Sequence, residues 1–259
     1  MEQSQQQNAL PCEARKPSEA KVPNKARRLR IAIDGPAGAG KSTVAREVAR
    51  ILGYTYLDTG AMYRALAVLA LDRKIPLDDF QALGDMASSA QIDACEDNGV
   101  FRVWIDGEEV TGRLRNPETD QSVKLLAMAK PVRQVLVSVQ RELARRGGVV
   151  MEGRDITSVV MPDAEVKVYL TAGLKERATR RWRELTNKGV AIAFDEVLSE
   201  MEARDAKDQE RDWGRLVKVD DAVVIDSTCM SIDQVCESVI RLCEAKRQCS
   251  TISPDGYLA

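Results

Sequence analysis

The stretch Gly35-Pro36-Ala37-Gly38-Ala39-Gly40-Lys41-Ser42-Thr43 decides the fold of this chain. It fits the pattern G-x-x-x-x-G-K-[ST], in which glycines let the backbone wrap around phosphate groups and the lysine reaches the β- and γ-phosphates of a nucleotide. A β-rich run at residues 29–34 precedes the loop, and Val44, Val48 and Ile51 follow it at helical spacing. Strand, glycine-rich turn and helix in this order predict a nucleotide-binding P-loop formed by all nine residues, with the Ser42 hydroxyl as a ligand of Mg²⁺.

Short β-rich runs alternate with helical patterns along the rest of the chain. Strands are predicted at 54–57, 149–151, 164–170 and 222–225, and helices at 41–52, 61–71, 76–90, 117–146, 175–188, 195–211 and after Ser231. This alternation is typical of βαβ units, so we expect an α/β fold with a mainly parallel five-stranded sheet covered by helices on both faces. Between 91 and 112, strand-like runs joined by Asp106-Gly107 and a similar turn predict a small antiparallel β insert.

Residues 1–28 differ in composition from the rest of the chain. They contain three consecutive glutamines, Gln5 to Gln7, together with three prolines and few large aliphatic side chains. Such a segment buries too little apolar surface to offset the entropy cost of ordering it. We therefore expect a disordered polar tail at 1–28, followed by one folded domain at 29–259.

The composition excludes several classes of protein. The 259 residues include 38 Lys and Arg, 40 Asp and Glu, and no histidine, for a net charge of −2. Without histidine there is no Ser-His-Asp or Cys-His nucleophile and no imidazole metal ligand. Near-neutral charge and only 4% aromatic residues argue against a nucleic-acid partner. No two cysteines form a C-x-x-C pair, and no apolar run is long enough for a membrane span, so we expect a cytoplasmic protein without a membrane partner.

Arginine is concentrated in the helical pattern at 175–188. Arg177, Arg180 and Arg181 share one helical face. Phosphoryl transfer needs positioning and charge neutralisation more than proton abstraction, so these residues predict an arginine-rich lid over the transferring group. The N-K-x-D motif of guanine-specific GTPases is not matched at Asn187-Lys188, which disfavours a switch GTPase.

A second group of polar residues suggests where a phosphate acceptor binds. Tyr63 and Arg64 follow the second predicted strand, and Arg154 with Asp155 follows another. Ligands of open α/β sheets bind at the carboxyl ends of the strands. Further along the chain, one helical face carries Arg204, Asp208 and Arg211. Together these residues offer arginines for a monophosphate and carboxylates for a sugar or a base.

Five stretches, in this order, closely resemble the bacterial-type cytidylate kinase family. They are IDGPAGAGKST (33–43), LDTGAMYRALA (57–67), EGRDITSVVMPDAEVKVYLTA (152–172), ERATRRW (176–182) and ARDAKDQER (203–211). The resemblance, which runs from about 29 to about 245, implies a nucleoside-monophosphate kinase with an acceptor-binding insert at about 84–130 and a short lid at about 173–190. It also implies transfer of a phosphoryl group from ATP to CMP or dCMP with Mg²⁺, in pyrimidine metabolism. We expect the enzyme to act as a monomer.

The resemblance also implies roles for individual residues. Among them, Asp155 suits the cytosine amino group, which is a hydrogen-bond donor and requires an acceptor. Two positions depart from the family pattern: Glu152 stands where the family often has Asp, and Lys124 stands where a ribose-contacting serine is common. The CMP phosphate is expected at Arg64, Arg154 and Arg211, the cytosine at Thr59, Arg133, Asp155 and Arg204, and the ribose near Asp208. Tyr63 belongs to the same substrate set, and the catalytic group comprises Lys41, Arg154, Arg177, Arg180 and Arg181.

Two other functions remain open from the sequence. The chain is either the predicted cytidylate kinase or another small-molecule P-loop kinase, such as one that acts on UMP or shikimate. A third interpretation is a regulator that binds ATP without transferring phosphate. The arginine set disfavours a regulator, because a pure binding module does not need a lid.

Lys124 generates a prediction about the sugar. A serine hydroxyl both donates and accepts hydrogen bonds, whereas a lysine ammonium only donates. We therefore expect Lys124 to favour CMP, which has a 2′-hydroxyl, over dCMP less strongly than a serine at this position would. We expect Lys124→Ser to prefer CMP over dCMP more strongly than the native protein does, by several-fold, because one hydrogen bond contributes about 0.5–1.5 kcal/mol. The measurement is the CMP-to-dCMP ratio of kcat/KM in both proteins. An unchanged or lower ratio in the serine variant would make Lys124 irrelevant to sugar recognition.

Overall fold

The computed structural model describes residues 28–97, 100–210 and 213–251. The disordered tail predicted at 1–28 lies outside the described residues except for Arg28, and it stays a prediction. The described residues form two compact units, one of residues 61–132 and the other of residues 28–60 together with 133–251. In the part of the chain described, no helix combines the length and the apolarity that crossing a membrane requires.

Eight strands and eight α-helices make up the described chain. The strands are β1 (Arg30–Asp34), β2 (Thr55–Asp58), β3 (Ile92–Asp97), β4 (Val100–Ile105), β5 (Glu108–Glu109), β6 (Val149–Gly153), β7 (Val166–Thr171) and β8 (Val223–Asp226). The helices are α1 (Lys41–Leu52), α2 (Thr59–Asp72), α3 (Phe80–Ser89), α4 (Pro117–Leu126), α5 (Lys130–Ala144), α6 (Leu174–Asn187), α7 (Phe194–Glu210) and α8 (Ile232–Thr251).

A five-stranded parallel sheet organises the unit of residues 28–60 and 133–251. Its strand order is β2-β6-β1-β7-β8, with β1 in the centre. Successive residues of a strand point to opposite faces, and Ile31, Ala32, Ile33 and Asp34 are all buried, so both faces of the central strand are covered. The predicted α/β fold with a parallel five-stranded sheet is confirmed.

Helix α1 begins and ends at glycines in the left-handed conformation. Gly40 precedes it with φ 93° and Gly53 follows it with φ 64°, a backbone geometry that glycine adopts without a steric penalty. Val44 and Val48 are buried on its inner face, whereas Ile51 is 48% exposed. The predicted helix has the predicted limits, but its apolar face is narrower than the sequence pattern suggests.

Helices α6 and α7 pack against each other through a small apolar core of their own. Ala178, Val197 and Met201 are buried in it. At its edge, Trp182 and Phe194 meet edge to face with ring centroids 6.4 Å apart, a favourable arrangement for two aromatic rings. This core fixes α6 relative to α7, and therefore also fixes the charged residues that both helices carry.

The unit of residues 61–132 contains the antiparallel sheet β3-β4-β5. Val103, Trp104 and Ile105 of β4 are buried in it, and the ion pair between Arg113 and Asp72 lies on its surface. The antiparallel insert predicted between 91 and 112 is confirmed. The compact unit begins at residue 61, earlier than the insert limits of 84–130 predicted from the sequence, and those limits stay a prediction.

Two predicted helices have different limits in the structure. The helix predicted at 76–90 begins at Phe80, because the Asp79 side chain accepts a hydrogen bond from the Ala82 amide and caps the helix there. The single helix predicted at 117–146 is wrong, since α4 and α5 are separated by residues 127–129. Pro131 explains why a new helix starts here: it has no N–H with which to continue the hydrogen bonding of α4, and it is tolerated in the first turn of α5.

Ser231 caps α8, as the sequence predicts. Its hydroxyl accepts a hydrogen bond from the backbone N–H of Gln234 at 3.2 Å. In return, the side-chain oxygen Oε1 of Gln234 accepts a hydrogen bond from the backbone N–H of Ser231 at 2.8 Å, which completes a capping box. We expect Ser231→Ala to lower the free energy of unfolding by about 1 kcal/mol and the Tm by roughly 2–4 °C.

The control is Ser238→Ala on the same helix, whose hydroxyl donates to the Gln234 carbonyl within the helix. Thermal unfolding of both variants measures the difference. A loss in Ser231→Ala no larger than in the control would contradict a stabilising cap.

Candidate functional site

Neighbouring parallel strands bring the predicted functional residues to one edge of the sheet. In the register of the sheet, Asp34 lies opposite Gly153 and Asp58 lies opposite Glu152. Because the carboxyl ends of β1, β2 and β6 therefore align, the P-loop after β1 and the segment after β6 start side by side. This is the edge at which open α/β sheets bind ligands.

The P-loop turns tightly against β7. A Cβ atom at Gly35 would overlap the carbonyl oxygen of Leu170, so only glycine allows this approach. No side chain caps α1 at Gly40, and the amides of its first turn are left to a ligand. Free backbone N–H groups at a helix N-terminus next to a glycine-rich loop are suited to bind phosphate.

Lys41 lies inside this loop with only 6% of its surface exposed. Its ammonium donates a hydrogen bond to the Pro36 carbonyl at 2.9 Å. The pKa of Lys41 is lowered to about 7, chiefly by burial and also by the positive charge of Arg154, while the charges of Glu152 and Asp34 oppose this shift. Anionic phosphate groups beside the ammonium would favour its charged form.

Ser42 is hydrogen-bonded to a buried carboxylate. Its hydroxyl donates to Glu152 Oε1 at 2.6 Å, and the Tyr56 hydroxyl lies 3.5 Å from the same oxygen. Burial raises the pKa of Glu152, and the negative charge of Asp58 raises it further. Glu152, one of the two positions that depart from the expected pattern, therefore holds the P-loop serine directly.

The oxygen atoms around Ser42 fit a hard divalent cation. Mg²⁺ in nucleotide sites keeps several waters and takes only one or two protein oxygens together with the phosphates of the substrate. The hydroxyl of Ser42 and the carboxylate of Glu152 provide such ligands. Among the described residues, no group of three or more Cys, Asp or Glu side chains could hold a metal ion.

Asp34 anchors the turn that follows β6. Its completely buried carboxylate accepts hydrogen bonds from the amides of Ile156 at 3.0 Å and Thr157 at 2.7 Å, and from the Thr157 hydroxyl at 2.6 Å. Residues Ile156–Val160 form a π-helical turn, a conformation found frequently at functional sites. This anchoring fixes Arg154 and Asp155, which lie immediately before the turn.

Two ion pairs organise the residues expected at the acceptor. Arg154 donates to Asp208 on α7 at 2.8 Å, and Arg133 on α5 pairs with Asp155. Gly214 lies so close to Arg133 that an added Cβ would overlap the guanidinium. The structure thus brings Arg133, Arg154, Asp155 and Asp208 to the same edge of the sheet, each held by an opposite charge.

Arg177 of α6 is hydrogen-bonded to the backbone of the P-loop. Its guanidinium donates to the Ala37 carbonyl at 3.1 Å and forms two hydrogen bonds with Asp205, at 3.2 Å and 2.6 Å. With only 5% of its surface exposed, Arg177 is part of the interior. The predicted helical face of three arginines therefore does not act as one surface.

Arg180 and Arg181 have different partners. Arg180 donates to the backbone carbonyl of Ser227 at 2.7 Å and lies near Gly40 of the P-loop. Arg181 forms an exposed ion pair with Glu184 at 2.8 Å. Of these two arginines, only Arg180 lies beside the loop in this structure.

Thr59 and Arg204 also lie in the unit that contains the P-loop. The Thr59 hydroxyl donates to the Glu152 carbonyl at 2.8 Å, which places it beside the carboxyl end of β6. Arg204 is an exposed residue of α7, and its charge acts on Lys41, whose pKa it lowers. Both positions are compatible with the roles predicted from the sequence.

Three predicted acceptor residues fall outside the described part of the unit that contains the P-loop. Tyr63 and Arg64 belong to the unit of residues 61–132, where Arg64 pairs with Asp120 at 2.7 Å. Arg211 lies outside the described residues. The roles of all three stay predictions.

The sequence reasoning missed Asp34, Asp205 and Ser227. Ser227 is buried after β8, with its hydroxyl 3.2 Å from the Ala39 carbonyl of the P-loop. For Asp34 the sequence did contain a signal. A charged residue at the end of an apolar strand, directly before the P-loop, is expected to be buried and therefore requires a hydrogen-bonding partner. Asp205 and Ser227 carried no such signal, because the segments they support are remote in sequence.

Comparisons with known proteins agree on one family. A family model described as cytidylate kinase matches residues 31–245. A cytidylate kinase of Desulfitobacterium hafniense is 48% identical over 204 residues, covering 79% of this chain and 88% of that protein. The cytidylate kinase of Caldanaerobacter subterraneus is 46% identical over 200 residues, covering 77% of this chain and 88% of that protein. The cytidylate kinase of Pelotomaculum thermopropionicum is 47% identical over 203 residues, covering 78% of this chain and 90% of that protein. Every site residue predicted from the sequence lies within the residues that the family model matches.

The close approach of Gly35 to β7 generates a prediction. We expect Gly35→Ala to lower the free energy of unfolding by about 1–3 kcal/mol, because the added methyl group forces the loop away from the Leu170 carbonyl. Urea unfolding measures the loss. The control is Gly112→Ala, where an added Cβ has no atom within 4 Å. Equal stability of the two variants would show that the loop has room to move.

Proposed function

The chain belongs to the cytidylate kinase family and transfers a phosphoryl group from ATP to CMP or dCMP. We propose that its P-loop holds ATP, while Arg154, Asp155 and their partners hold the acceptor. The observation that carries this assignment is the hydrogen bonding of Asp34, which lies directly before the P-loop and holds the turn that follows Arg154 and Asp155. A donor-phosphate lysine and an acceptor-phosphate arginine must be neighbours if one phosphoryl group is to pass between their ligands.

On the donor side, the P-loop supplies charge and backbone donors. The Lys41 ammonium neutralises charge on the transferring group, and the first turn of α1 offers amides to the phosphates. The pKa of about 7 for Lys41 applies to the protein without nucleotide. The negative phosphates of bound ATP raise this pKa, so the lysine carries its charge throughout the reaction.

On the acceptor side, base recognition follows from hydrogen-bond polarity. Asp155 accepts from the cytosine amino group, and Arg133 and Arg204 donate to the ring nitrogen and the carbonyl. Uracil has a carbonyl where cytosine has its amino group. The Asp155 carboxylate and this carbonyl are both hydrogen-bond acceptors, so no hydrogen bond could form between them. This mismatch disfavours UMP.

The reaction needs no general base. An oxygen of the CMP phosphate is already anionic and attacks the γ-phosphorus of ATP directly, while the bond from that phosphorus to the β-phosphate oxygen breaks. Arg154 holds the attacking phosphate, and its pair with Asp208 orients the guanidinium. A chain without histidine is therefore fully equipped for this chemistry.

We further propose Ser42 and Glu152 as the residues that hold Mg²⁺. When bound, the cation would neutralise negative charge that develops on the phosphates of ATP. The Ser42 hydroxyl serves as a direct ligand, and the Glu152 carboxylate holds that hydroxyl in place at 2.6 Å.

The remaining features from the sequence are part of the same proposal. We propose an insert at about 84–130 that binds the acceptor, a lid at about 173–190, and Arg180 and Arg181 as lid residues near the transferring group. The enzyme is proposed to act as a monomer in the cytoplasm, without a nucleic-acid partner.

The test of the function is a panel of acceptors. ADP release is measured with ATP and Mg²⁺ in the presence of CMP, dCMP, UMP, AMP or shikimate, and CMP and dCMP are expected to be the active acceptors. Preference for UMP or shikimate would indicate another P-loop kinase. Tight nucleotide binding with no acceptor-dependent ADP release would indicate a regulator.

Lys41 generates the prediction for the donor side. We expect Lys41→Ala to lower kcat on the order of 10²-fold or more, because it removes charge stabilisation at the transferring phosphoryl group. Lys218→Ala, at an exposed lysine of the same unit, is the matched control and should keep wild-type turnover. Near-normal turnover of folded Lys41→Ala would overturn the P-loop assignment.

A further inference from the structure

We propose that Asp205 is a positioning residue for ATP, although it lies on the helix that supplies Arg204 and Asp208 to the acceptor. Asp205 acts through Arg177, which it holds against the backbone of the P-loop. This inference rests on the proposed function, because it assigns the two aspartates of α7 to different substrates of the same reaction.

The Arg177 side chain is fully occupied by contacts within the protein. It donates to the Ala172 carbonyl at the end of β7, to the Ala37 carbonyl of the P-loop and to both carboxylate oxygens of Asp205. A bidentate pair with a carboxylate fixes the plane of a guanidinium. Asp205 therefore determines where Arg177 meets the P-loop.

The P-loop is also packed tightly against α6 and α7 at Gly38. A Cβ at Gly38 would lie 2.9 Å from the Met201 methyl carbon and 3.1 Å from Arg177 Cβ. The neighbouring Ala37 packs against the apolar core of these two helices. The middle of the loop thus rests on a surface that the Arg177–Asp205 pair helps to build.

The hydrogen bond from Arg177 to the Ala37 carbonyl also sets the direction of the next backbone N–H, that of Gly38. The carbonyl of Ala37 and the amide of Gly38 belong to one trans peptide unit, in which they point in opposite directions. Because the carbonyl points to Arg177, the Gly38 N–H points away from Arg177 and α6. The pair therefore orients a backbone donor of the kind that binds phosphate.

Asp208, three residues later on α7, has a different partner. It is buried and pairs with Arg154, a residue proposed for the acceptor phosphate. The two carboxylates therefore support opposite sides of the reaction: Asp205 supports the donor loop and Asp208 supports the acceptor residues. A general structural role for either aspartate would not separate the two substrates in this way.

The test compares Asp205→Asn with Asp208→Asn. ADP affinity is measured by calorimetry without an acceptor, and KM values for ATP and CMP are measured in the full reaction. Asp205→Asn should weaken ADP binding and raise the KM for ATP by about tenfold, the effect of losing one charge-assisted hydrogen bond to phosphate, and leave the KM for CMP near the wild-type value. Asp208→Asn should raise the KM for CMP and leave ADP affinity unchanged.

Glu202→Gln is the matched control, since it removes one negative charge from an exposed position of the same helix. It should leave both KM values unchanged. If Asp205→Asn does not fold, Arg177→Lys provides the second test, because lysine keeps the positive charge but cannot contact both the carboxylate and the Ala37 carbonyl in the same fixed geometry. It should show the same selective loss of ADP affinity.

Two results would overturn the inference: unchanged ADP affinity in the folded variant, or an equal rise in both KM values. The proposed function fails separately. If the native chain binds ADP but does not phosphorylate CMP, the function is wrong, and the calorimetric comparison of ADP affinities still decides whether Asp205 positions the donor loop.

Discussion

A buried carboxylate at the end of the central strand is the constraint from which the site is built. Asp34 is shielded from water, and a carboxylate in that position requires hydrogen-bond donors. The turn beginning at Ile156 supplies them with two amides and one hydroxyl. Since Gly35 follows Asp34 directly and Arg154 and Asp155 precede the turn, this one carboxylate fixes the start of the P-loop relative to Arg154 and Asp155.

The charges at this edge of the sheet neutralise one another in pairs. Arg154 pairs with Asp208, and Arg133 pairs with Asp155, so each side chain has a defined position. The carboxylates of Asp155 and Asp208 are buried, so truncating the arginine of either pair would leave an uncompensated charge, which destabilises the protein more than the intact pair stabilises it. Lys41 is less fully compensated, and its lowered pKa reflects a position that is suited to anionic phosphates.

Much of the fold was predictable because its signals are local. Glycines mark both ends of α1, Ser231 begins α8 with its own capping box, and alternation of strands and helices predicts a parallel sheet. The break before α5 was missed because apolar periodicity outweighed the signal of Pro131, whose missing N–H places it in the first turn of a helix. The P-loop was predictable for a similar reason: its nine residues are contiguous, and their chemistry follows from the backbone that they form together.

The sequence by itself predicted a P-loop for a nucleotide at residues 35–43, and it predicted that arginines and carboxylates rather than histidine perform the chemistry. It also placed Arg177, Arg180 and Arg181 on one helical face. Only the tertiary structure decided that these arginines do different things, since Arg177 is buried beneath the loop, Arg180 reaches Ser227 and Arg181 stays at the surface. The physical reason is that helical spacing fixes the direction of a side chain from its own helix, whereas its partner is supplied by α7, β8 or the P-loop. Those segments are distant in sequence, and only packing brings them together.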